Sequence, residues 1–313
     1  MSGKFTQKVK NGIKRINRVV FGHQDPRVVA RKKYFLAQTK WQTKKYNTHQ
    51  LLDFIEGLGV TSGSTVMMQT SWSQFYNYQG KPTELFNGII EILGIEGTLC
   101  MPCNSDYDPS KPFDVHKTPS NAGLLSEAFR RKKGVKRSIH YNSSVSAYGA
   151  KAEELTCEHK FSVTSWDEYS PYYKLHQMNA INLTLGLGKP FKYVTAFHCV
   201  DSMLREEVSL YFKLFSEPSE IEYFDENGEL QKHKIIKRER GRLNFWRINR
   251  HLRDVPHQSG KISNLEGYTV PLKALVERAV DLGRQGITIY YPPYPNKREL
   301  LPPKQKQQRG QVE

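Results

Sequence analysis

A histidine and a carboxylate stand three residues apart in the stretch TAFHCVDSML, as His198 and Asp201. On a helix this spacing puts both side chains on one face and within reach of each other. Three roles fit such a pair: a general base with its orienting acid, part of a metal site, or an ordinary helix start. The residue types alone leave all three open, although two ligands, even with Cys199 between them, do not make a metal site.

Two polar loops carry groups that bind anions. One, QTSWS, follows an apolar run and contains Thr70, Ser71 and Ser73. Such hydroxyls bind phosphate or carbonyl groups at the carboxyl edge of a sheet. The other, KRSIHYNSS, offers serine hydroxyls, backbone N–H groups and a guanidinium, all of which donate hydrogen bonds. Its candidate residues are Arg137, Ser138 and His140. Each loop is common chemistry, so neither identifies an activity by itself.

The cysteines suggest neither a disulfide framework nor a metal centre. CMPC has the CxxC spacing of redox and zinc sites, but no second CxxC follows and both cysteines end an apolar run. We therefore interpret Cys100 and Cys103 as packed free thiols. Cys157 and His159 supply only two potential ligands, so we predict no metal. This cysteine usage predicts a reducing, cytoplasmic compartment.

The elements that must position these groups follow an α/β pattern from about residue 47. THQLLDFIEGLGV predicts a helix with Thr48 as its N-cap, and TELFNGIIEILG predicts one ending at Gly94. EIEYFDENGELQKHKII alternates on both sides of Asn227-Gly228, which predicts a hairpin. Further helices are predicted over NAGLLSEAFRRKKG, YYKLHQMN and PLKALVERAVDLG, and buried strands over STVMMQTSW, GTLCMPC, SVSAYG and INLTLGLG.

The positive charge is concentrated at the chain ends. The formal net charge is +16; residues 1–45 carry +12, residues 301–313 carry +2, and the middle only +2. We predict a basic amphipathic extension over 1–45, an α/β domain over 46–300 and a Pro-rich, polar, extended or disordered tail over 301–313.

Residues 4–21 place an apolar stripe opposite a face of Lys and Arg. The stripe consists of Phe5, Val9, Ile13, Ile16 and Val20. Such a helix can lie on an anionic membrane surface, and we expect this of residues 1–21. The alternatives are a helix docked on the domain, a partly disordered basic arm, and binding of nucleic acid. The short arm and its aliphatic residues argue against nucleic acid. No apolar run approaches about 18 residues, so we expect no membrane-spanning helix. The cysteine usage favours a cytoplasmic protein, and the basic helix favours a peripheral position on the inner membrane surface.

Taken in order, several stretches resemble the aminoglycoside 3-N-acetyltransferase family, also called the antibiotic N-acetyltransferases. The stretch after the first helix resembles the family's Leu-Gly, Gly-Asp, Val-His-Ser-Ser-Leu pattern, and TAFHCVD resembles its Thr, Leu-His, Glu segment. The resemblance covers about residues 47–290. It rests on LGVTSGSTVMMQTSWSQF, IEGTLCMPC, TPSNAGLLSEAFRRKKGVKRSIHYNSSVSAYGAKAEEL, SPYYKL, TAFHCVD and GKISNLEGYTVPLKALVERAVDLG.

The resemblance implies a mixed central β-sheet with flanking helices and transfer of an acetyl group from acetyl-CoA to an amine. The family's catalytic histidine falls on His198 and its companion acid on Asp201. An imidazole with a pKa near ~6.5 suits a base that takes the amine's proton. The implied coenzyme contacts are Thr70, Ser71 and Ser73, with Arg137 and Ser138 and nearby His140 as a second contribution.

The chain departs from the family pattern at several positions. Asp201 stands where the family has Glu, Gln69 replaces the usual His after the first strand, and Tyr141 replaces the Pro of His-Pro. The loop YNYQGK lacks the usual paired glycines. These departures affect acyl-group size, coenzyme affinity and amine specificity, but none removes the proposed base.

The acceptor is the open question. Aminoglycosides are polycations, and the middle of the chain is near neutral; the acids that could line a pocket are Asp106, Asp108, Asp114, Asp167 and Glu168. The basic helix favours an amino sugar on a glycan precursor, with aminoglycoside resistance as the alternative. A degenerate, non-catalytic binding protein is the rival from another class.

Overall fold

The computed structural model describes residues 37, 39, 41–106, 111–188, 190–225, 227–239, 243–290 and 300–303. The amphipathic helix predicted over 4–21 and the tail from 304 onward lie outside the described residues, so both stay predictions. The second of the two units into which the chain divides, Tyr46–Glu313, contains all the elements discussed below. The three-part domain division also stays a prediction.

A seven-stranded mixed sheet forms the centre of this unit. Its strand order is β3-β4-β2-β1-β5-β9-β8. The three middle strands, β2, β1 and β5, are parallel, and the outer pairings are antiparallel. The strands are β1 (Thr65–Thr70), β2 (Thr98–Pro102), β3 (Lys136–Arg137), β4 (Val145–Gly149), β5 (Ile181–Leu185), β6 (Phe215–Phe224), β7 (Leu230–Arg238), β8 (Gln258–Ile262) and β9 (Leu265–Pro271).

Helices cover both faces of the sheet. They are α1 (Thr48–Gly57), α2 (Pro82–Leu93), α3 (Leu124–Arg130), α4 (Ala152–Thr156), α5 (Pro171–Gln177), α6 (Cys199–Met203), α7 (Ser209–Phe212), α8 (Phe245–Asn249) and α9 (Leu272–Arg284). Short 3-10 turns occupy Trp72–Gln74, His159–Phe161 and Thr195–His198. The predicted mixed α/β fold with flanking helices is confirmed.

The alternation of side chains along β1 creates two cores. Val66 and Met68 point into one cluster with α1 and α2, whereas Met67 points into the other with α5, α6 and α9. Successive side chains of a strand leave opposite faces, so a continuous apolar run buries both faces. The buried parallel strands thus fix the edge at which the polar loops emerge.

The hairpin β6–β7 lies outside the central sheet. Gly228 takes the left-handed φ of 80° that its turn requires, and Phe224 pairs with Leu230 across it. The hairpin packs a small third cluster, including Ile221 and Ile235, against the segment near Phe113. The predicted hairpin is therefore present.

Two local predictions need adjustment. Asn47, not Thr48, caps α1: its side chain accepts from the backbone N–H of Gln50, whose own side chain accepts from the N–H of Asn47. The helix predicted from NAGLL begins only at Leu124, because Gly123 has a φ of 114°.

None of the helices in the described part of the chain has the length and apolar character needed to cross a bilayer.

Candidate active site

The carboxyl ends of β1 and β5 lie side by side and open into the two segments that build the site. Thr70 pairs with Leu185 at this end of the parallel pair. The chain leaves β5 through Gly186 and Gly188, both at positive φ, and then reaches the 3-10 turn that ends at His198. This edge of a parallel sheet is the usual place for a ligand site in α/β proteins.

The side chain of Gln69 anchors that segment to the sheet. Its Nε2 donates to the carbonyl of Tyr193 at 2.9 Å and to Thr195 Oγ1 at 2.8 Å. Its Oε1 accepts from the N–H of Thr195 at 3.3 Å. Phe191 and Tyr193 hold left-handed φ angles of 63° and 65°. Non-glycine residues keep such a conformation only when their surroundings enforce it, so the amide of Gln69 helps to define the path of the chain into His198.

His198 and Asp201 are in contact. The Nδ1 atom of His198 lies 3.1 Å from Asp201 Oδ2, with His198 at the end of the 3-10 turn and Asp201 in the first turn of α6. Because a carboxylate only accepts hydrogen bonds, Nδ1 carries the proton and Nε2 has a free lone pair. The His198 side chain is 15% exposed and that of Asp201 1%. No described residue hydrogen-bonds to Nε2.

Two residues from distant parts of the chain complete the surroundings of Asp201. The Tyr290 hydroxyl donates to Asp201 Oδ2 at 2.5 Å and lies 3.2 Å from His198 Nδ1. Arg238, the last residue of β7, donates from Nη1 to the Tyr290 hydroxyl at 3.0 Å, and its Nε lies 3.8 Å from Asp201 Oδ2. The buried carboxylate is therefore compensated by a cation and by two hydrogen-bond donors.

The indole of Trp166 forms the apolar wall of the site. Its ring centroid lies 4.9 Å from that of His198, and the guanidinium of Arg238 lies 5.2 Å from the centroid of the same indole. Arg238 also lies 5.8 Å from the centroid of Tyr290. These cation–π contacts hold the guanidinium in place.

Burial makes the neutral imidazole the favoured form of His198. Burial is the largest influence and lowers the pKa of His198 below its usual 6.5; contact with Asp201 raises the pKa, and the charge of Arg238 lowers it again. Burial, followed by the nearby charge of Asp201, holds the pKa of Tyr290 well above its usual value. At neutral pH the site thus contains an unprotonated imidazole and a neutral phenol.

The loop after β1 presents the predicted hydroxyl groups at the same edge. Ser71 Oγ and Ser73 Oγ lie 3.2 Å apart, and Thr70 and Ser71 are partly exposed while Ser73 is exposed. Thr70 directly follows Gln69, so this loop is one residue from the anchor of the His198 segment. One of these two serines donates its proton to the other, and the remaining hydroxyl can donate to a phosphate or a carbonyl.

Arg137 serves the fold in this structure. Its guanidinium donates to the backbone carbonyls of Val115, Thr118 and Cys103 and to Ser144 Oγ. It also lies 4.9 Å from the ring centroid of Phe113. The guanidinium holds the segment around residues 115–118 against β4, which leaves few of its N–H groups for a ligand.

Ser138 and His140 lie in the interior. Ser138 Oγ accepts from the N–H of Val145 at 2.9 Å and hydrogen-bonds to His159 Nδ1 at 2.7 Å. The rings of His140 and His159 stack with a centroid distance of 4.4 Å. Burial lowers the pKa of His140 to about 3, and it lowers that of His159 well below the usual value. Among the described residues, no hydrogen bond or ring contact joins this pair to His198 or to Thr70.

The cysteines are free and mostly buried. Cys100, Cys103 and Cys199 are buried, and Cys157 is half-buried. Burial raises the pKa of the Cys100 thiol and of the Cys199 thiol. Within the part of the chain that the structure describes, no three His, Cys, Asp or Glu side chains are grouped to hold a metal ion.

The acids considered for a cationic acceptor fall into two places. Asp106 and Asp114 line a cavity of about 510 Å³ together with Phe113 and Tyr141. Asp167 and Glu168 directly follow Trp166 in the chain; Asp167 caps the N–H of Thr164, and Glu168 is exposed. Asp108 lies outside the described residues.

The sequence analysis did not predict three residues of the site, which are Tyr290, Arg238 and Trp166. They come from the segment after α9, from the end of β7 and from the loop before α5, so no local spacing connects them. Gln69 stood out only as a departure from a family pattern. An alignment with correlated changes at positions 201, 238 and 290 is the signal that would identify such a group.

Comparison with known proteins agrees with the fold and with the motifs. The model of the family described as aminoglycoside 3-N-acetyltransferase matches residues 67–283. The chain is 28% identical over 173 residues to aminoglycoside N(3)-acetyltransferase VII of Streptomyces paromomycinus, which covers 48% of this chain and 58% of that protein. It is 25% identical over 270 residues to aminoglycoside N(3)-acetyltransferase IX of Micromonospora chalcea, covering 78% and 85%. The chain thus spans less than two thirds of the first of these relatives.

Solved structures share the architecture at low sequence identity. The crystal structure of the aminoglycoside acetyltransferase AAC(3)-Xa matches with a TM-score of 0.67 at 20% identity, covering 80% of this chain and 96% of that one. The binary structure of AAC-IIIb with CoASH matches with a TM-score of 0.65 at 20% identity, covering 80% and 99%. These likenesses establish a common fold.

Proposed function

Because this chain belongs to the aminoglycoside 3-N-acetyltransferase family, we propose that it transfers an acetyl group from acetyl-CoA to the 3-amino group of an aminoglycoside. The observation that carries the proposal is the His198–Asp201 pair, at 3.1 Å, in a chain of that family. The names of the relatives support an aminoglycoside acceptor over the glycan precursor that the sequence favoured.

His198 is the proposed general base. Acetyl-CoA supplies the acetyl group as a thioester. His198 Nε2 takes a proton from the amine as the amine nitrogen bonds to the acetyl carbon and the carbon–sulfur bond breaks. The same nitrogen then gives that proton to the departing thiolate, which restores the neutral imidazole. Asp201 holds the Nδ1 proton in place and stabilises the transient imidazolium, as the acid does in hydrolase triads. No covalent enzyme intermediate is needed.

The loop after β1 is the proposed contact for the coenzyme. Thr70, Ser71 and Ser73 offer uncharged hydroxyl groups directly after Gln69, the residue that anchors the His198 segment, and such groups suit a phosphate or a thioester carbonyl. The structure of AAC-IIIb with CoASH, a protein of the same fold, supports a coenzyme of this kind. We leave Ser138 and His140 out of this proposal because both are buried, and Arg137 because its donors hold backbone carbonyls.

The acceptor needs negative charge nearby. Glu168, exposed two residues after the indole that packs on His198, is the candidate for contact with an acceptor ammonium group. Asp167 beside it is engaged by the N–H of Thr164 at 2.7 Å, so it helps more by its charge than by a direct bond.

Release of CoA across a panel of acceptors tests the proposal. The panel contains aminoglycosides, the same aminoglycosides already acetylated at the 3-amino group, and simple amino sugars. Activity on the free drugs, absent for the acetylated ones and for the His198→Gln variant, supports the proposal. Activity on amino sugars alone would replace it with the biosynthetic reading, and failure to bind acetyl-CoA would favour a non-catalytic protein.

Binding of residues 1–21 to an anionic membrane is a separate proposal that rests on the sequence. Flotation of full-length and truncated protein with anionic liposomes tests it. Equal partitioning of both forms would remove the idea.

A further inference from the structure

Polar groups from three separate elements meet on one oxygen of Asp201. His198 Nδ1 lies 3.1 Å from Oδ2, the Tyr290 hydroxyl lies 2.5 Å from it, and Arg238 Nε lies 3.8 Å from it. Tyr290 and Asp201 are 89 positions apart in the sequence. The mechanism proposed above uses only His198 and Asp201, which leaves Tyr290 and Arg238 without an assigned role.

The donors around Asp201 determine where each proton of this hydrogen-bonded group lies. The single hydroxyl proton of Tyr290 goes to Asp201, so the phenol oxygen is left to accept hydrogen bonds. It accepts one from Arg238 Nη1 at 3.0 Å and faces His198 Nδ1 at 3.2 Å. The Nδ1 proton is therefore shared between the carboxylate and the phenol oxygen, and the imidazole is held in the tautomer whose Nε2 can accept a proton.

The charges of the group oppose each other at the imidazole. Asp201 favours protonation of His198, and Arg238 disfavours it. Tyr211 on α7 and Cys199 on α6 also face the carboxylate, and burial raises the pKa of each, so both are neutral. The charge of Asp167 also raises the pKa of Cys199. Arg238 is thus the cation, among the described residues, that acts on His198.

From this geometry we propose that Arg238 and Tyr290 are positioning residues that hold Asp201 and the ring of His198 in their relative orientation, with Nε2 left free to accept a proton. This rests on the proposed role of His198 as the base. Arg238 is held by two aromatic faces, at 5.2 Å from Trp166 and 5.8 Å from Tyr290, so its charge has a fixed location. A cation fixed at this position opposes the protonation of His198.

The test is an NMR titration of His198 in the full-length protein with isotope-labelled histidine, assigned by His198→Gln. Arg238→Met removes the cation and is expected to raise the titration midpoint of His198 by roughly one pH unit, the scale for one nearby charge. Arg238→Lys keeps the charge and is expected to stay close to the wild type. Tyr290→Phe removes the hydroxyl from Asp201 and is also expected to raise the midpoint.

Matched controls separate these effects from general disturbance. Arg284→Met removes an exposed arginine that pairs with Glu207. Tyr46→Phe removes a buried phenol hydroxyl from the cluster on the other face of the sheet. Both are expected to leave the His198 midpoint unchanged. Urea unfolding of each variant confirms that it is folded before it is titrated.

Equal midpoints in Arg238→Met and in Arg284→Met would overturn the inference. If Arg238→Met does not fold, the Tyr290→Phe variant tests the inference instead. An unchanged His198 midpoint in Tyr290→Phe, or a rise in KM with kcat intact, would overturn it. The titration uses no substrate, so its result is independent of the acceptor panel. A wild type without acetyltransferase activity would refute the proposed function, whereas acetylation with unmoved midpoints would refute this inference alone.

Discussion

The side-chain amide of Gln69 and the first residue of the 3-10 turn, Thr195, hydrogen-bond to each other in both directions. Nε2 of Gln69 donates to Thr195 Oγ1 at 2.8 Å, and the N–H of Thr195 donates to Oε1 of Gln69 at 3.3 Å. A third bond ties the same amide to the carbonyl of Tyr193. This relationship couples the end of β1 to the turn that carries His198 and leads to the first prediction.

Replacement of Gln69 by leucine should loosen the catalytic segment. Gln69→Leu keeps the side-chain volume but leaves partly buried backbone groups of Tyr193 and Thr195 unpaired, so we expect the free energy of unfolding to fall by ~1 kcal/mol. We also expect a larger loss in kcat than in KM. Urea unfolding and CoA-release kinetics measure both. Gln231→Leu, which removes a hairpin amide bonded to Asp225, is the control. Similar losses in both variants would speak against a specific role for Gln69.

Removal of the imidazole should abolish the chemical step. We expect His198→Gln to lower kcat by about 10²–10⁴-fold, the usual contribution of a general base, while acetyl-CoA binding is retained. His49→Gln is a matched control because His49 also pairs with an acid, Asp53, four residues on, at 2.9 Å on an exposed helix face. Calorimetry of coenzyme binding and steady-state kinetics check the two expectations. Full activity in His198→Gln would exclude it as the base.

Neutralisation of Asp201 should lower kcat while the shape of the side chain is kept. Asp201→Asn keeps the shape of a side chain that is 1% exposed but removes the charge that orients the Nδ1 proton. We expect a fall in kcat of about 10²-fold or more with little change in KM. Arg238, which is partly buried, then lacks its charged partner, so we also expect a stability loss of ~1–3 kcal/mol. Thermal unfolding measures the latter, and an unchanged kcat would contradict the proposed acid.

Acid should destabilise the protein through its buried histidines. The unfolded chain binds a proton at His140 near ~6.5, whereas burial lowers the pKa in the folded protein to about 3. Between these values the unfolded state holds more protons, so the free energy of unfolding falls as pH decreases, by up to ~1.4 kcal/mol per pH unit for each such histidine. The lowered pKa of His159 acts in the same direction.

Substitution of His140 checks that assignment. We expect His140→Asn to unfold with a shallower pH dependence below pH 6.5 than the wild type, as measured by urea unfolding at several pH values. Ser146→Ala provides the control, since it alters a buried side chain without removing a titratable group and should keep the wild-type slope. An identical slope in both variants would place the proton uptake elsewhere.

The thiols should report the packing of the CMPC stretch. Cys157 is half-buried, and Cys100, Cys103 and Cys199 are buried. We expect one thiol to react with an aromatic disulfide reagent in the native protein and four in urea. Cys157→Ser should leave the native protein unreactive. Rapid reaction of two thiols in that variant would instead indicate a redox-active CxxC pair.

Much of the fold could be predicted from local pattern. The apolar runs around Met67 and Leu183 gave the buried strands, and Gly94 and the Asn227-Gly228 pair marked a helix end and a hairpin turn. These features act over a few residues, so a one-dimensional pattern contains them. The N-cap of α1 was predicted at Thr48, one residue after its actual position at Asn47. Both residue types suit an N-cap, and only the backbone geometry distinguishes them.

The contact between His198 and Asp201 was determined by the sequence itself, since three residues on one turn of chain bring them together wherever that turn lies. The tertiary structure decided the rest of the site. It buried the carboxylate, placed Arg238 and Tyr290 on it from distant elements, and turned Arg137, Ser138 and His140 towards the interior. Burial and long-range contacts depend on how the whole chain packs, and these are the terms that set hydrogen bonding and pKa.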